Sequence, residues 1–245
     1  MLSIVLPAYN EDQSLHSLLE GIRQILERFH IDGRVIVVND GSTDRTGDIT
    51  RSFAGVPVEL IEWHPNRGLA ESLKQGLARA IRNSQKGDVI ITMDADNSHP
   101  PDLIPEMISK LKEGNDVVIA SRYQEGSEVH GVPAVRRLLS NGASNLFRVL
   151  VPIRGVRDYT GGYRIYDAAF LKRVFERFGD QVIQQDGFGC TLELLLRMHT
   201  LKPTICEVPL ILRYDLKQSE SKMRIWPTIK GTLRLLGRHS FGREN

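Results

Sequence analysis

An α/β fold, with a mostly parallel central sheet flanked by helices, is predicted by three observations. Short β-rich runs alternate with amphipathic stripes at helical spacing over the first 121 residues, and the connections between them are short. The 245-residue chain also has an ordinary globular balance, with 41% hydrophobic and 25% charged residues. A formal net charge of +2 selects neither a nucleic-acid nor a membrane partner, so any such partner must be argued from where the charges lie.

The predicted strands of the first half are residues 2–6, 34–39, 57–61, 88–93 and 116–121. Between the first two, Leu15, Leu18, Leu19, Ile22, Leu26 and Phe29 recur at helical spacing. Similar stripes follow at Leu69, Leu73, Leu77 and Ile81, and at Leu103, Ile104, Met107, Ile108 and Leu111. Beyond residue 121 the pattern changes to a loop with Gly126, Gly131 and Pro133, a helix over 136–151 and a turn-rich stretch over 155–166. Two further helices and a strand over 205–212 follow. From Arg213 onward eight Lys or Arg stand against three acids, interleaved with Met223, Ile225, Trp226, Ile229, Leu233 and Leu236, so 213–245 reads as a basic amphipathic segment suited to a membrane interface. Two cysteines, Cys190 and Cys206, form no CxxC pair and no zinc spacing, which fits a reducing compartment. The start of the chain lacks a signal-peptide pattern, and no run approaches the roughly 18 apolar residues of a membrane span.

The chemistry concentrates where strands end. Residues 88–93 run straight into Asp94 and Asp96, and alternation in an extended chain points side chains i and i+2 to one side. Two hard oxygen donors there suit Mg2+ or Mn2+, which take carboxylates together with substrate phosphates and waters. The bland alternative is a pair of solvated acids capping the helix after Pro100 and Pro101. An EF-hand is excluded, because its twelfth position would be Pro105. A second acidic strand end is Asp40-Gly41-Ser42-Thr43-Asp44, and a third loop is Pro7-Ala8-Tyr9-Asn10-Glu11. In an open α/β sheet all three loops line one crevice. No GxxxxGK[ST] and no GxGxxG follows the first strand, so phosphate must be held by metal and by cations. Candidate cations are Arg122, Arg136, Arg137, Arg164, Arg213 and Lys222. Paired glycines in Asp158-Tyr159-Thr160-Gly161-Gly162-Tyr163-Arg164 permit a close approach of backbone to a ligand.

Taken together, VLPAYNE, VVNDGSTDRT, NRGLAESLKQGL, MDADNSHPP, ASRY and TGGYRIY resemble a family 2 glycosyltransferase with the GT-A fold. More narrowly they resemble the dolichol-phosphate mannose synthases and their polyprenyl-phosphate relatives. The resemblance implies that 1–212 is the catalytic domain, with a nucleotide-binding half over 1–121 and an acceptor half over 122–212. It assigns Pro7, Tyr9, Glu11 and Asp40 to nucleotide contacts, and Asp94 and Asp96 to metal and diphosphate, with Ser98 at a third metal position where some relatives carry glutamine. Arg122, Arg136, Ser140 and Arg213 fall around the acceptor phosphate and the donor diphosphate, and Arg164 is grouped with the acceptor. Lys222 falls in the family's flexible active-site loop. Asp96, Arg122 and Arg213 carry the catalytic assignment.

The implied reaction is inverting transfer of a hexose, with mannose from GDP-mannose favoured, onto a polyprenyl phosphate. Such an acceptor is largely a dianion at pH 7 and attacks without a general base. Asp186 and Glu193 are the candidate bases should the acceptor be a hydroxyl instead; Glu193 reads rather as orienting the acceptor loop. Many relatives carry C-terminal transmembrane helices. Here the expected encounter is peripheral, on the cytoplasmic face of a membrane, with a small membrane-spanning partner subunit as a further possibility. A UDP-sugar donor, a glycan or protein hydroxyl acceptor, and a non-catalytic sugar-nucleotide module are the alternatives. A sugar nucleotidyltransferase is disfavoured, because the first loop is acidic and lacks glycine. A nucleic-acid partner is disfavoured too, because the bases form no aromatic-lined stripe.

Overall fold

The computed structural model of the protein describes residues 1–187 and 189–217 and, among them, not the side chains of Val135, Arg136, Leu139 and Ala143. Lys222 and the amphipathic positions from Met223 to Leu236 lie outside the described residues.

The first half follows the expected alternation: β1 (Leu2–Ala8), α1 (Leu15–Arg28), β2 (Gly33–Asn39), α2 (Thr46–Ser52), β3 (Val58–Glu62), α3 (Leu69–Arg82), β4 (Val89–Thr92), α4 (Ile104–Lys112) and β5 (Val117–Ser121). There follow β6 (Glu128–His130), α5 (Ala134–Leu150), β7 (Arg164–Asp167), α6 (Ala168–Phe178), α7 (Gly189–His199), β8 (Ile205–Pro209) and β9 (Ile211–Arg213). The seven-stranded sheet has the order β3-β2-β1-β4-β7-β5-β8, and β7 alone in it runs antiparallel to its neighbours. Both faces are covered, which explains the continuous apolar runs. Period-two alternation sends Val5, Ile36, Val38, Ile90, Val117 and Ile119 into one core with α3, α6 and α7. Ile4, Leu6, Val35, Val37, Ile91 and Val118 enter the other, with α1 and α4.

Two expectations need correction. The stretch 155–166 reads as turn-rich and no strand is expected in it, yet its end forms β7, whose Ile165 pairs with Ile91 on one side and Val118 on the other. Four residues flanked by Gly, Tyr and Asp carry too little periodicity to announce a central strand, and the pairing comes from two strands far away in sequence. The expected strand over 205–212 divides. β8 pairs with β5 as far as Pro209, and β9 pairs with β6 in a separate two-stranded sheet. Because β7 and β8 complete the sheet begun by residues before 121, the two halves expected to meet at that point share one sheet.

Candidate active site

Four loops gather at the carboxyl ends of β1, β2, β4 and β5. The first two are laced together. Ser42 Oγ accepts from the Asn10 amide at 2.9 Å, Asn10 Oδ1 accepts from the Thr43 amide at 2.8 Å, and Thr46 Oγ1 accepts from the Glu11 amide at 2.9 Å. Glu11 is buried, whereas Pro7 and Tyr9 are half-buried along this wall. Asp40 is buried, and its carboxylate accepts from Trp63 Nε1 at 2.8 Å, the Arg67 amide at 2.7 Å and the Gly68 amide at 2.8 Å. It therefore fixes the loop ahead of α3 as the second wall. Gly41, at φ 73°, lets that loop lie close, since a Cβ there would fall 2.7 Å from the Asn66 nitrogen.

The floor is the β4 loop. Its backbone turns at Asn97, which takes φ 62°, a left-handed conformation that asparagine tolerates. The Asp94 amide donates to His99 Nδ1 at 3.0 Å, so the neutral imidazole carries its proton on Nε2. His99 stacks on Tyr163 with ring centroids 5.0 Å apart, and the Tyr163 hydroxyl donates to the Pro100 carbonyl at 3.0 Å. Asp94 stays half-exposed at the crevice. Loss of hydration and the adjacent Asp96 charge raise its carboxyl above the ordinary value, with His99 and Lys217 opposing.

Asp96 is buried. Its Oδ1 accepts from the Ser98 amide at 3.1 Å and the Ser98 hydroxyl at 2.6 Å, and its Oδ2 accepts from Lys217 Nζ at 2.5 Å. Burial works against the Asp96 charge, but the Lys217 ammonium outweighs it and holds the carboxyl below the usual range. Lys217 is in turn raised: burial opposes its charge, and Asp96, Glu11 and Asp94 overcome that. Two carboxylates at one strand end are oxygen donors of the kind a hard cation takes together with waters and substrate phosphates, and one of them already carries a cation. No group of three or more His, Cys, Asp or Glu with metal-site geometry occurs among the described residues, so Asp94 and Asp96 would hold a divalent ion only together with such exogenous oxygens. The expected metal role of Ser98 is revised, because its hydroxyl donates to Asp96 and orients that carboxylate.

The opposite corner belongs to Arg122. Its Nε and Nη2 grip Asp158 at 2.8 and 2.6 Å, and Nη2 also donates to Thr160 Oγ1 at 2.7 Å. Asp158 is fully buried and accepts in addition from the amides of Arg122, Thr160 and Gly161. The backbone carrying Asp158 is held by Glu207 Oε1, which accepts from the Arg157 and Asp158 amides, each at 2.6 Å. Ser140 on α5 reaches this corner, with its Oγ 3.3 Å from Thr160 Oγ1 and 3.4 Å from the Tyr123 hydroxyl. Arg122 and Ser140 thus meet at Thr160, while the Arg136 side chain lies outside the described residues.

Three further expectations fare differently. Arg164 is 1% exposed and donates to the carbonyls of Thr191 at 2.6 Å and Tyr159 at 3.0 Å. Its position on β7 turns it into the core, so it braces the glycine loop against α7 and does not face an acceptor. The Arg213 guanidinium is engaged by Asp215 at 2.8 and 2.9 Å, whereas its amide donates to the Ser98 carbonyl at 3.0 Å. Backbone, not side chain, is what Arg213 brings to the metal loop here. Glu193 is 2% exposed and accepts from the Gln184 and Gln185 amides, each at 2.7 Å, which makes it a loop brace. His99, Asp158, Glu207 and Lys217 were given no role from sequence. His99 and Asp158 lie inside motifs already singled out, but nothing local marks Lys217 or Glu207.

The family model described as glycosyl transferase family 2 matches residues 3–175. The chain is 33% identical over 210 residues to the dolichol-phosphate mannosyltransferase of Pyrococcus furiosus, a match covering 85% of this chain and 55% of that relative. It is 28% identical over 210 residues to the polyprenol monophosphomannose synthase of Mycolicibacterium smegmatis, covering 84% of this chain and 75% of that relative. With the undecaprenyl-phosphate mannosyltransferase of Micrococcus luteus it shares 29% identity over 221 residues, covering 89% and 86% respectively. The chain thus spans about half the length of the first of these relatives. Among solved structures, glucosyl-3-phosphoglycerate synthase from Mycobacterium tuberculosis, in complex with Mn2+, UDP and glucosyl-3-phosphoglycerate, superposes with a TM-score of 0.67 at 20% identity, covering 100% of this chain and 81% of that one. At that identity the likeness concerns the fold, which is GT-A.

Proposed function

The chain belongs to glycosyl transferase family 2, and we propose that within it the protein is an inverting enzyme that moves a hexose, mannose from GDP-mannose, onto a polyprenyl phosphate at a membrane surface. The observation that carries this reading is one crevice with an anionic floor and a cationic corner. Asp94 and Asp96 lie at the end of β4, and Arg122 with Ser140 lies at the end of β5. Three relatives, named for transfer of mannose to dolichol, polyprenol or undecaprenyl phosphate, supply the acceptor class.

Pro7, Tyr9, Glu11 and Asp40 belong to the walls that would take the nucleotide, Asp40 by shaping the loop ahead of α3. Asp94 and Asp96 would hold Mg2+ or Mn2+, which supplies charge neutralisation to a departing diphosphate. Arg122, its orientation fixed by Asp158, is preorganised toward a phosphate, so no reorganisation is needed as charge develops. Ser140 and Thr160 add hydroxyl donors. The acceptor's second pKa near about 6 leaves it a nucleophile without a base. That agrees with Glu193 being committed to two backbone amides.

The outer face of α5 suits a lipid. Leu138 and Val149 are 73% and 77% exposed, Leu146 and Leu150 flank them, and Arg137 and Arg148 border the strip on a helix without acids. Apolar side chains with basic neighbours fit an anionic membrane interface. No helix among the described residues is long and apolar enough to cross a membrane.

The test is transfer of labelled sugar from GDP-mannose, with UDP-sugars in parallel, into an organic-extractable polyprenyl phosphate with and without chelator. Label is expected in the lipid phase and lost in a folded Asp96→Asn variant by about 100-fold or more. Donor hydrolysis without lipid label would discard the acceptor, and undiminished transfer by Asp96→Asn would discard the metal.

A further inference from the structure

Both oxygens of the Asp96 carboxylate are committed in this structure: Oδ1 to the Ser98 amide and hydroxyl, Oδ2 to Lys217 Nζ at 2.5 Å. The two members of this ion pair are nearly out of solvent, with side chains 11% and 9% exposed. Lys217 follows a short helical turn, Tyr214–Leu216, that begins where β9 is tied to the metal loop through the Arg213 amide and the Ser98 carbonyl. The ammonium is consequently delivered to Asp96 by a segment outside the seven-stranded sheet, joined to the β4 loop through the Arg213 amide.

We propose that Lys217 is an internal competitor for the divalent cation: its ammonium neutralises Asp96 until a metal ion takes Oδ2, and metal binding expels the Lys217 side chain into solvent. The exchange is one cation for another on one oxygen, since the Ser98 bonds leave Oδ1 fully used. Apparent metal affinity is then the intrinsic affinity reduced by the fraction of molecules in which Lys217 has already left. The inference rests on the proposed metal site but not on the identity of donor or acceptor.

Two measurements on the full chain, without donor or lipid, test it. Mn2+ titration followed by electron paramagnetic resonance should give a dissociation constant about tenfold lower for Lys217→Gln than for wild type, with Lys217→Arg close to wild type. Labelling by an amine-reactive reagent, read by mass spectrometry at Lys217, should be slow without metal and rise several-fold when Mn2+ is added, a change that a mere loss of nearby positive charge does not predict. Unchanged Mn2+ affinity in a folded Lys217→Gln variant, or labelling of Lys217 that stays flat or falls with Mn2+, overturns the inference. Absence of Mn2+ binding in wild type overturns it together with the metal site. Normal Mn2+ exchange at Lys217 with no lipid product would leave it standing while the proposed transfer fails.

Discussion

Asp158 shows how one residue sets the geometry of the cationic corner. Its carboxylate is fully buried, and withdrawal from water alone would raise it. The Arg122 guanidinium and three backbone amides outweigh that and hold it below the ordinary value of 3.8. A folded-state value below the unfolded one contributes stability that is fully present above the ordinary carboxylate range and is lost as pH falls through the depressed value. Acid unfolding of the wild type should therefore steepen below about pH 4, and Asp158→Asn should remove that part of the slope. Breaking a buried pair while leaving Arg122 in place should also cost about 3–5 kcal/mol in urea unfolding at neutral pH. Superimposable pH profiles for the two proteins would dissociate Asp158 from acid stability. His99 acts at the same scale: its Nδ1 takes the Asp94 amide, and its ring rests on Tyr163.

Among the elements, α3 lies tight against β1. Gly76 faces the sheet, and a Cβ there would lie 2.4 Å from Val5 Cγ1 and 3.0 Å from Val38 Cγ2. The contact lets α3 lie against β1 and β2, directly behind the loops that follow those two strands. Gly76→Ala gains about 1 kcal/mol in helix propensity but overpacks a β-branched neighbour at a cost of about 1–3 kcal/mol. A lowered urea midpoint is expected, with partial recovery in Gly76→Ala combined with Val5→Ala; a midpoint raised by the single change would show that α3 has room to move. Likewise Tyr163, just ahead of the four-residue β7, and Tyr166 within it enter opposite cores, so that Tyr163 backs the β4 loop.

At the scale of the whole molecule, α5 brings Ser140 to the Arg122 corner and leaves Leu138 and Val149 exposed, so on the proposed reading a lipid would meet this helix. Replacing Leu138 and Val149 together by Glu should lower flotation with anionic liposomes several-fold and raise the apparent KM for lipid acceptor. Activity toward a short, water-soluble polyprenyl phosphate should be spared. Unaltered flotation would move the membrane contact away from α5 and toward the basic segment beyond residue 217.

By itself the sequence determined the alternating first half, the carboxylate pair at the end of β4, and the convergence of the Pro7, Asp40 and Asp94 loops. These are legible because side-chain period and strand-end chemistry are local properties of a dozen residues or fewer. The motifs that resemble a known family added the reading of the site and its expected acceptor. Only the tertiary structure decided what each charged side chain faces. Arg164 looked like an acceptor contact and is buried against two carbonyls, because β7 inserts between β4 and β5 and turns that position inward. Arg122 is bound to a residue 36 positions away, and Asp96 to a lysine 121 positions away. Such partners are chosen by strand order and by the path of connections between distant elements, and a charge whose partner arrives that way leaves no periodic trace in the sequence around it.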